Sequence, residues 1–385
     1  MSSAPARDSF PDVLRGFALL GIALVNVPYL AIDTVNAADG ADLGQSSNAI
    51  AAFLVMALFQ AKFYLIFSFL FGYSAHYILK DNPANKGRWL ARSVGLMILG
   101  VLHFTFLFHG DILFVYGVFG LALTYFYFRP DDSVRSWARG IFLSSAIVFA
   151  LLSLLTLVGE AVSKAEGEEL PAETFRSSLD AALESGSFLD TVAPRFELWL
   201  FAAPNGFLLQ GPFVFAAFLV GIYVARKNGL TDVKPQLMSR LITWGFGLGL
   251  PLQILAAALY VLNSTLIDSL GLYLVTLAIN FVTAPLLSGA YIALLWRIHQ
   301  KYRIGLFSAP GRMSLTVYLS ESLVFSFLFS AWGLGWFGQL GVAEVSLIAF
   351  LVWLGLAALA MLYLRFIPKG PMEQALTAFS KLFSR

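Results

Sequence analysis

Runs of about twenty apolar residues recur along this chain, and each is long enough to cross the ~30 Å hydrocarbon core of a bilayer as a helix. They fall at roughly 13–32, 60–79, 89–108, 111–128, 139–159, 205–225, 240–262, 270–296, 313–333 and 345–366. A lone segment in hydrocarbon can satisfy its backbone polar groups only by coiling on itself, so these spans are expected to be helices. Residues 49–59 are apolar too, and joined to the second span they would make a helix of ~45 Å. A bent or interfacial start is expected there. Only 12% of the residues are charged, against about 25% in soluble domains. Mean hydropathy is +0.77. The chain reads as an all-α polytopic integral membrane bundle of about ten transmembrane helices, one domain over residues 1–385. The first run lacks a small-x-small cleavage pattern and is followed by further spans, so it is expected to be retained.

The loops carry a charge asymmetry. Of 25 Lys and Arg, 21 fall in or beside alternate segments, from Arg7 and Arg15 to Lys381 and Arg385. The opposite segments hold Lys164, Arg176 and Arg195, and Lys62 lies within a span. Positive residues favour the cytoplasmic side, which predicts an even number of spans and both termini in the cytoplasm. The one long loop, about 160–204, would then be extracytoplasmic. Within it Phe175, Leu179 and Leu183 recur every fourth residue, predicting a short helix on the surface. Formal net charge is +2, so no general attraction to nucleic acid is implied. Cysteine is absent, which excludes disulfides, thiolate nucleophiles and Cys-ligated metals. Without an HExxH pair or a third ligand at a recognised spacing, no metal site is expected.

Against this background the ionisable residues inside the spans stand out. A charged group at membrane depth costs about 2.5–3.5 kcal/mol on insertion scales, so each needs a partner or a task. "LHFTFLFHGDILFVYG", residues 102–117, holds two of the chain's four histidines and an aspartate. His103 would lie about 22 Å up the third span, and "HGD" would form a tight outer turn. Asp111 would open the next helix, where its charge suits the positive end of the dipole. His103, His109 and Asp111 can therefore meet near the outer face. A histidine oriented by a carboxylate is a general base; the alternative is a capping aspartate, a wet turn histidine and a histidine bonded to a neighbouring helix.

Two further groups follow. In "FPDVLRGFALLGIALVN", Asp12 and Arg15 are three residues apart and can pair. Arg15 and Asn26 share a face, ~16 Å apart along the axis. Arg15 is either a snorkelling anchor or a forked donor for a phosphorylated cytosolic ligand. His76 and Lys80 sit at the inner end of the second span and could join it. In "GRMSLTVYLSESLVFSFLF", Ser314, Tyr318 and Glu321 follow an i, i+4, i+7 stripe with Glu321 near mid-membrane. Such a stripe faces either a neighbouring helix as hydrogen-bonding glue or a wet cavity. Gly and Pro break three later spans, at "PNGFLLQGP", "GFGLGLP" and "NFVTAPLLSG", a pattern that can bend helices around a cavity or permit close packing.

Taken together, "DVLRGFALLGIALVN", "KFYLIFSFLFGYS", "HGDILFVYGVFG", "GRMSLTVYLSES" and "RFIPKGPMEQ" resemble, in order and over nearly the whole chain, the bacterial polytopic family called DUF418, or YeiB-like. That family looks related to a superfamily of transmembrane acyltransferases, including acyltransferase-3 proteins and heparan-glucosaminide N-acetyltransferases. The resemblance implies a bundle of about ten helices in the bacterial cytoplasmic (inner) membrane. It also implies transfer of an acyl group from a cytosolic acyl-CoA donor to an extracytoplasmic sugar, glycan or lipid head group. No permanently bound cofactor is implied. "DVLRG" is similar to the opening motif of acyltransferase-3 proteins, which maps Asp12 and Arg15 onto it. Those enzymes rely on a membrane histidine, for which His103 is the comparable residue here.

Three functions remain open on the residues. As an acyltransferase, Arg15 would help hold the donor's phosphates, with Asp12 and His76 beside it. His103 with Asp111 would deprotonate the acceptor, and Lys62 or Tyr318 would stabilise the oxyanion. As a proton-coupled transporter, Glu321, Lys62 and His103 would relay protons. As a scaffold, the same residues would be interhelical glue.

Overall fold

A computed structural model describes residues 9–166, 177–302 and 304–382; Arg7, Phe175, Arg176, Arg303 and Arg385, used above, lie outside them. Among the described residues every regular element is helical. The first apolar run is α1 (Phe10–Ala31), opened by Pro11 and by Asp12 in its first turn; a proline there lacks only an N–H that would be unpaired anyway. It is followed by α2 (Ser46–Leu58), α3 (Lys62–Leu79), α4 (Lys86–Phe106), α5 (Leu113–Tyr127) and the long α6 (Asp131–Ala165). Beyond the undescribed segment come α7 (Ser178–Ser185), α8 (Val192–Asn205), α9 (Gly211–Arg226), α10 (Pro235–Trp244), α11 (Leu250–Leu262) and α12 (Leu270–Lys301). The chain then forms α13 (Gly305–Arg312), α14 (Ser314–Phe329), α15 (Val342–Tyr363) and α16 (Pro371–Leu382).

Among the described residues, eight stretches are long and apolar enough to cross a membrane. The two other expected spans, 111–128 and 313–333, appear as α5 and α14, of only 15 and 16 residues. At 1.5 Å per residue they are about 22 and 24 Å long, shorter than the hydrocarbon core. The loop expected from 160 to 204 is reduced from both sides. Helix α6 runs on to Ala165, and α8 joins α9 through a π turn at Gly206–Gln210, making one apolar stretch from Leu189 to Arg226. Arg195 made that stretch look like loop. The structure turns it inward, fully buried, where it donates to the Phe106 carbonyl (3.1 Å) and to Thr191 Oγ1 (3.0 Å). The short helix expected around 179–183 is α7, but Leu179 and Leu183 are buried in the outer core rather than spread on a surface.

The bend expected before the second span is a break at Phe59–Ala61, with Ala61 at φ 69°. A helix ending inside a bundle leaves carbonyls that no water can reach. Here other side chains meet them. Lys62 Nζ donates to the Met56 carbonyl at 2.7 Å, Asn280 Nδ2 reaches the same oxygen at 3.3 Å, and Tyr291 Oη donates to the Leu58 carbonyl at 3.0 Å. A cation at a helix C-terminus also complements the dipole.

Close helix crossings hold α1 and α3 at the centre. A Cβ on Gly311 of α13 would stand 1.7 Å from the Asp12 carbonyl oxygen, and one on Gly16 1.9 Å from that of Phe307. Helices α3 and α9 meet the same way, through Gly72 against Phe218 O (2.0 Å) and Gly221 against Phe69 O (2.1 Å). Membrane helices gain little from excluding lipid, so backbone approach of this kind supplies much of their attraction. At the inner end, the Glu373 carboxylate of α16 accepts from the Leu315 and Thr316 amides (2.7 and 3.2 Å) and from Thr316 Oγ1 (2.6 Å), capping α14. Because the atoms facing Gly72 and Gly221 are backbone, Gly72→Ala or Gly221→Ala should each destabilise the protein by about 1–3 kcal/mol through overpacking. Thermal unfolding in detergent should show both well below wild type, while Gly355→Ala, where an added Cβ meets nothing within 4 Å, should not change it.

Candidate functional site

The tight turn after α4 places its polar residues as follows. His103 lies in the last turn of α4, with its side chain wholly buried. Asp111 lies just before α5 and is equally buried. Its Oδ1 is 2.8 Å from His103 Nδ1, and its Oδ2 accepts from the Phe114 amide at 2.7 Å. One carboxylate thus caps the first turn of α5 and orients the imidazole. Gly100, one turn below His103, makes room: an added Cβ would stand 2.4 Å from Phe114 N and 2.8 Å from Asp111 Oδ2.

On its other side His103 meets α14. Nε2 is 2.9 Å from Ser322 Oγ, and the Tyr318 ring lies 5.0 Å from the imidazole. With Asp111 ionised, Nδ1 must donate to it, which leaves Nε2 to accept from the Ser322 hydroxyl. The alternative acceptor for that hydroxyl is the Tyr318 carbonyl, longer at 3.4 Å. Carboxylate, imidazole and hydroxyl form one row, buried at bilayer depth. Ser322 was absent from the stripe traced through Ser314, Tyr318 and Glu321. The signal was present, since Ser322 follows Tyr318 by one helical turn, but only the position of α4 distinguishes it from Glu321.

Unpaired polar atoms also lie along α14 and at Ser330 just beyond it. Tyr318 Oη, Glu321 Oε1, Ser326 Oγ and Ser330 Oγ are buried without a hydrogen-bond partner among the described residues. In native interiors such groups are few. Ser314 opens α14 two turns below Glu321 and is half-buried.

A cavity of about 420 Å³ adjoins Asp111 on the side away from α14. Its walls are largely apolar. Asn26 and Tyr29 of α1, Gln60, Tyr64, His109 and Gln210 supply the polar groups. Tyr64 Oη is buried there without a partner. His109 faces this space, edge-on to the Tyr29 and Phe108 rings, and does not touch His103. Lys62 is committed to the end of α2, 2.7 Å from the Met56 carbonyl.

At the inner end Arg15 Nη1 donates to Asp12 (2.6 Å) and Nη2 to Ser74 (2.6 Å). Arg92 lies within electrostatic range of Arg15, and also of Arg88 and Glu373. His76 sits apart, bonded to Tyr127 Oη (2.9 Å), which in turn donates to Asp81. The structure therefore brings Asp12 and Arg15 together with Arg92, and His103 and Asp111 together with Ser322. His109 and Asn26 share the cavity that Asp111 borders without bonding to the row, Lys62 is bonded to the Met56 carbonyl and His76 to Tyr127. Among the described residues no cluster of His, Cys, Asp and Glu has metal-binding geometry.

Residues 224–380 match the family described as "Protein of unknown function (DUF418)". The chain is 27% identical to the uncharacterized protein YxaH of Bacillus subtilis (strain 168), over 94% of this chain and 91% of YxaH. It is 26% identical to the uncharacterized protein YeiB of Escherichia coli (strain K12), over 94% of this chain and 93% of YeiB. An uncharacterized 39.9 kDa protein of Bacillus acidopullulyticus is 38% identical over 36% of this chain and 39% of that protein. No solved structure matches. The helical architecture, the matched segment and the near full-length bacterial relatives agree: the chain is a multi-pass membrane protein that is similar over residues 224–380 to the DUF418 family and over most of its length to YxaH and YeiB.

Proposed function

We propose that the protein is a membrane-embedded acyltransferase of the bacterial cytoplasmic membrane. It would move an acyl group from a cytosolic acyl-CoA-type donor to an extracytoplasmic hydroxyl or amine on a sugar, glycan or lipid head group. The observation that carries this reading is the buried row Asp111–His103–Ser322, with contacts of 2.8 and 2.9 Å. A carboxylate, an imidazole and a hydroxyl in that order are the parts needed to activate an oxygen nucleophile. His103 Nε2 takes the Ser322 proton as Oγ attacks the thioester carbonyl, and Asp111 stabilises the resulting imidazolium. Collapse of the tetrahedral intermediate breaks the C–S bond, the proton passes to the leaving thiolate, and an acyl-serine remains. The acceptor then attacks that ester with His103 again as base, and Ser322 regains its proton.

The geometry around the row supports two-sided delivery. Arg92 and His103 lie on one helix eleven residues apart, about 16 Å along its axis, so a donor held by its phosphates at the Arg15–Arg92 end reaches the row with an extended thioester arm. The cavity against Asp111, apolar with scattered amide and hydroxyl groups, suits an amphipathic acceptor. One observation favours proton-coupled transport instead: Glu321 Oε1 is buried without a partner, as in a proton carrier.

Purified protein should transfer or hydrolyse short-chain acyl-CoA. His103→Ala and Ser322→Ala should each lower the rate by about 10²–10⁴-fold, the range for loss of a positioned base or the hydroxyl it serves, with unfolding temperatures close to wild type. A labelled acyl group should remain on wild-type protein after denaturation and be missing from Ser322→Ala. Full activity in Ser322→Ala would reject the acyl-serine step, and full activity in His103→Ala would reject the enzymatic reading. Glu321→Gln separates the two functions: acyl transfer should persist within about threefold, a change of under 1 kcal/mol, whereas a proton-coupled transporter reconstituted in vesicles would lose uptake.

A further inference from the structure

A second cavity, of about 450 Å³, lies at the end of the bundle that the charge asymmetry assigns to the outside. It is built by the loop after α1, the start of α2, helix α7 and the turn into α15. Asp33, Asp42, Asp180, Glu184 and Glu344 line it, and no Lys, Arg or His does among the described residues. Backbone and amide N–H groups hold three of these carboxylates in place. Asp33 Oδ1 accepts from the Val35 and Asn36 amides (2.8 and 2.6 Å), and Asp42 Oδ1 from the Gly44 amide (2.9 Å). Asp180 Oδ1 accepts from Thr34 Oγ1 at 2.7 Å, and its Oδ2 from the Ser177 amide at 3.1 Å. Glu344 is exposed in the first turn of α15.

The amide groups in the wall tell the same story. Gln45 Nε2 is turned to Asp42, Gln339 Nε2 to the Gly335 carbonyl and Asn48 Nδ2 to the Asp42 carbonyl. Asn48 is 4% exposed, lines the cavity, and its Oδ1 has no partner. A buried orphan acceptor needs a donor, and the polar side chains that line the cavity beside it are acids or amides whose N–H groups are turned to other acceptors. The wall presents acceptors and negative charge, so its complement is a ligand rich in N–H donors and positive charge. The absence of metal-binding geometry among the described residues, and the volume, favour a polyatomic cation over a single ion. We propose that this cavity binds a compact organic polycation through primary ammonium groups, one of which donates to Asn48 Oδ1. None of its residues belongs to the Asp111–His103–Ser322 row, so the site stands whether or not the acyl-transfer reading does.

Spermidine is the probe, titrated calorimetrically into detergent-solubilised full-length protein at low ionic strength. Saturable binding is expected in wild type and in His103→Ala. Glu344→Gln, which removes an exposed charge and no hydrogen bond recorded here, should weaken it about tenfold, and Asp42→Asn with Glu344→Gln further, since each lost charge acts on the cation at short range. Added salt should weaken wild-type binding, and uncharged 1,4-butanediol should not bind. Absence of saturable spermidine binding would overturn the proposal. So would equal affinity in wild type and Glu344→Gln, or calcium that binds and displaces spermidine from the same acids.

Discussion

Backbone groups cannot be left unpaired inside hydrocarbon, and in this protein that constraint shapes the centre of the bundle. Helix α2 stops at membrane depth, and its last carbonyls are answered by Lys62, Asn280 and Tyr291 from three different places in the chain. Helix α5 begins inside the bundle as well, and Asp111 answers the Phe114 amide in its first turn. The second of these solutions also has chemical use. A carboxylate recruited to cap a helix is fixed in place, with one oxygen left for an imidazole. The proposed base is therefore oriented by the same group that lets the chain turn back into the membrane.

The short motifs distributed along the chain prove to be the places where its helices touch. Gly16 in "DVLRG" and Gly311 in "GRMS" let α1 and α13 cross backbone to backbone. Gly72 in "KFYLIFSFLFGYS" does the same against α9. Glu373 in "RFIPKGPMEQ" caps the helix that begins within "GRMSLT". Read this way, the motifs are a set of mutual contacts that fix the height and rotation of α1, α3 and α14, and so the position at which Ser322 faces His103.

Much of this was readable from one sequence, for definite reasons. The membrane class followed from apolar length, and the helices follow from it because each run satisfies its own backbone. His103 and Asp111 could be paired in advance because eight residues across a tight turn return the chain to its own level. Other features needed distant partners. Lys62 reads as a proton-handling candidate, and the sequence does not show that α2 ends at Leu58, which brings the Met56 carbonyl within 2.7 Å of its ammonium. The stretch around Arg195 reads as loop because its arginine interrupts the oil, and its acceptors, Thr191 Oγ1 and the Phe106 carbonyl 89 residues earlier, are what keep that charge inside. Ser322 and Glu321 are adjacent, and a helical wheel alone cannot say which of them α4 will meet.

Helix α14 has one further property. Its lower end is gripped by the carboxylate of α16, the last helix described, which lies on α4 through Leu376 against Gly95. A helix is stiff along its axis, so a small slide or roll of that terminal segment is passed upward whole, like a push on a piston rod. Ser322 sits two turns above the grip and is held to the imidazole by a single contact. A displacement of the final helix would thereby reach the Asp111–His103–Ser322 row from outside it.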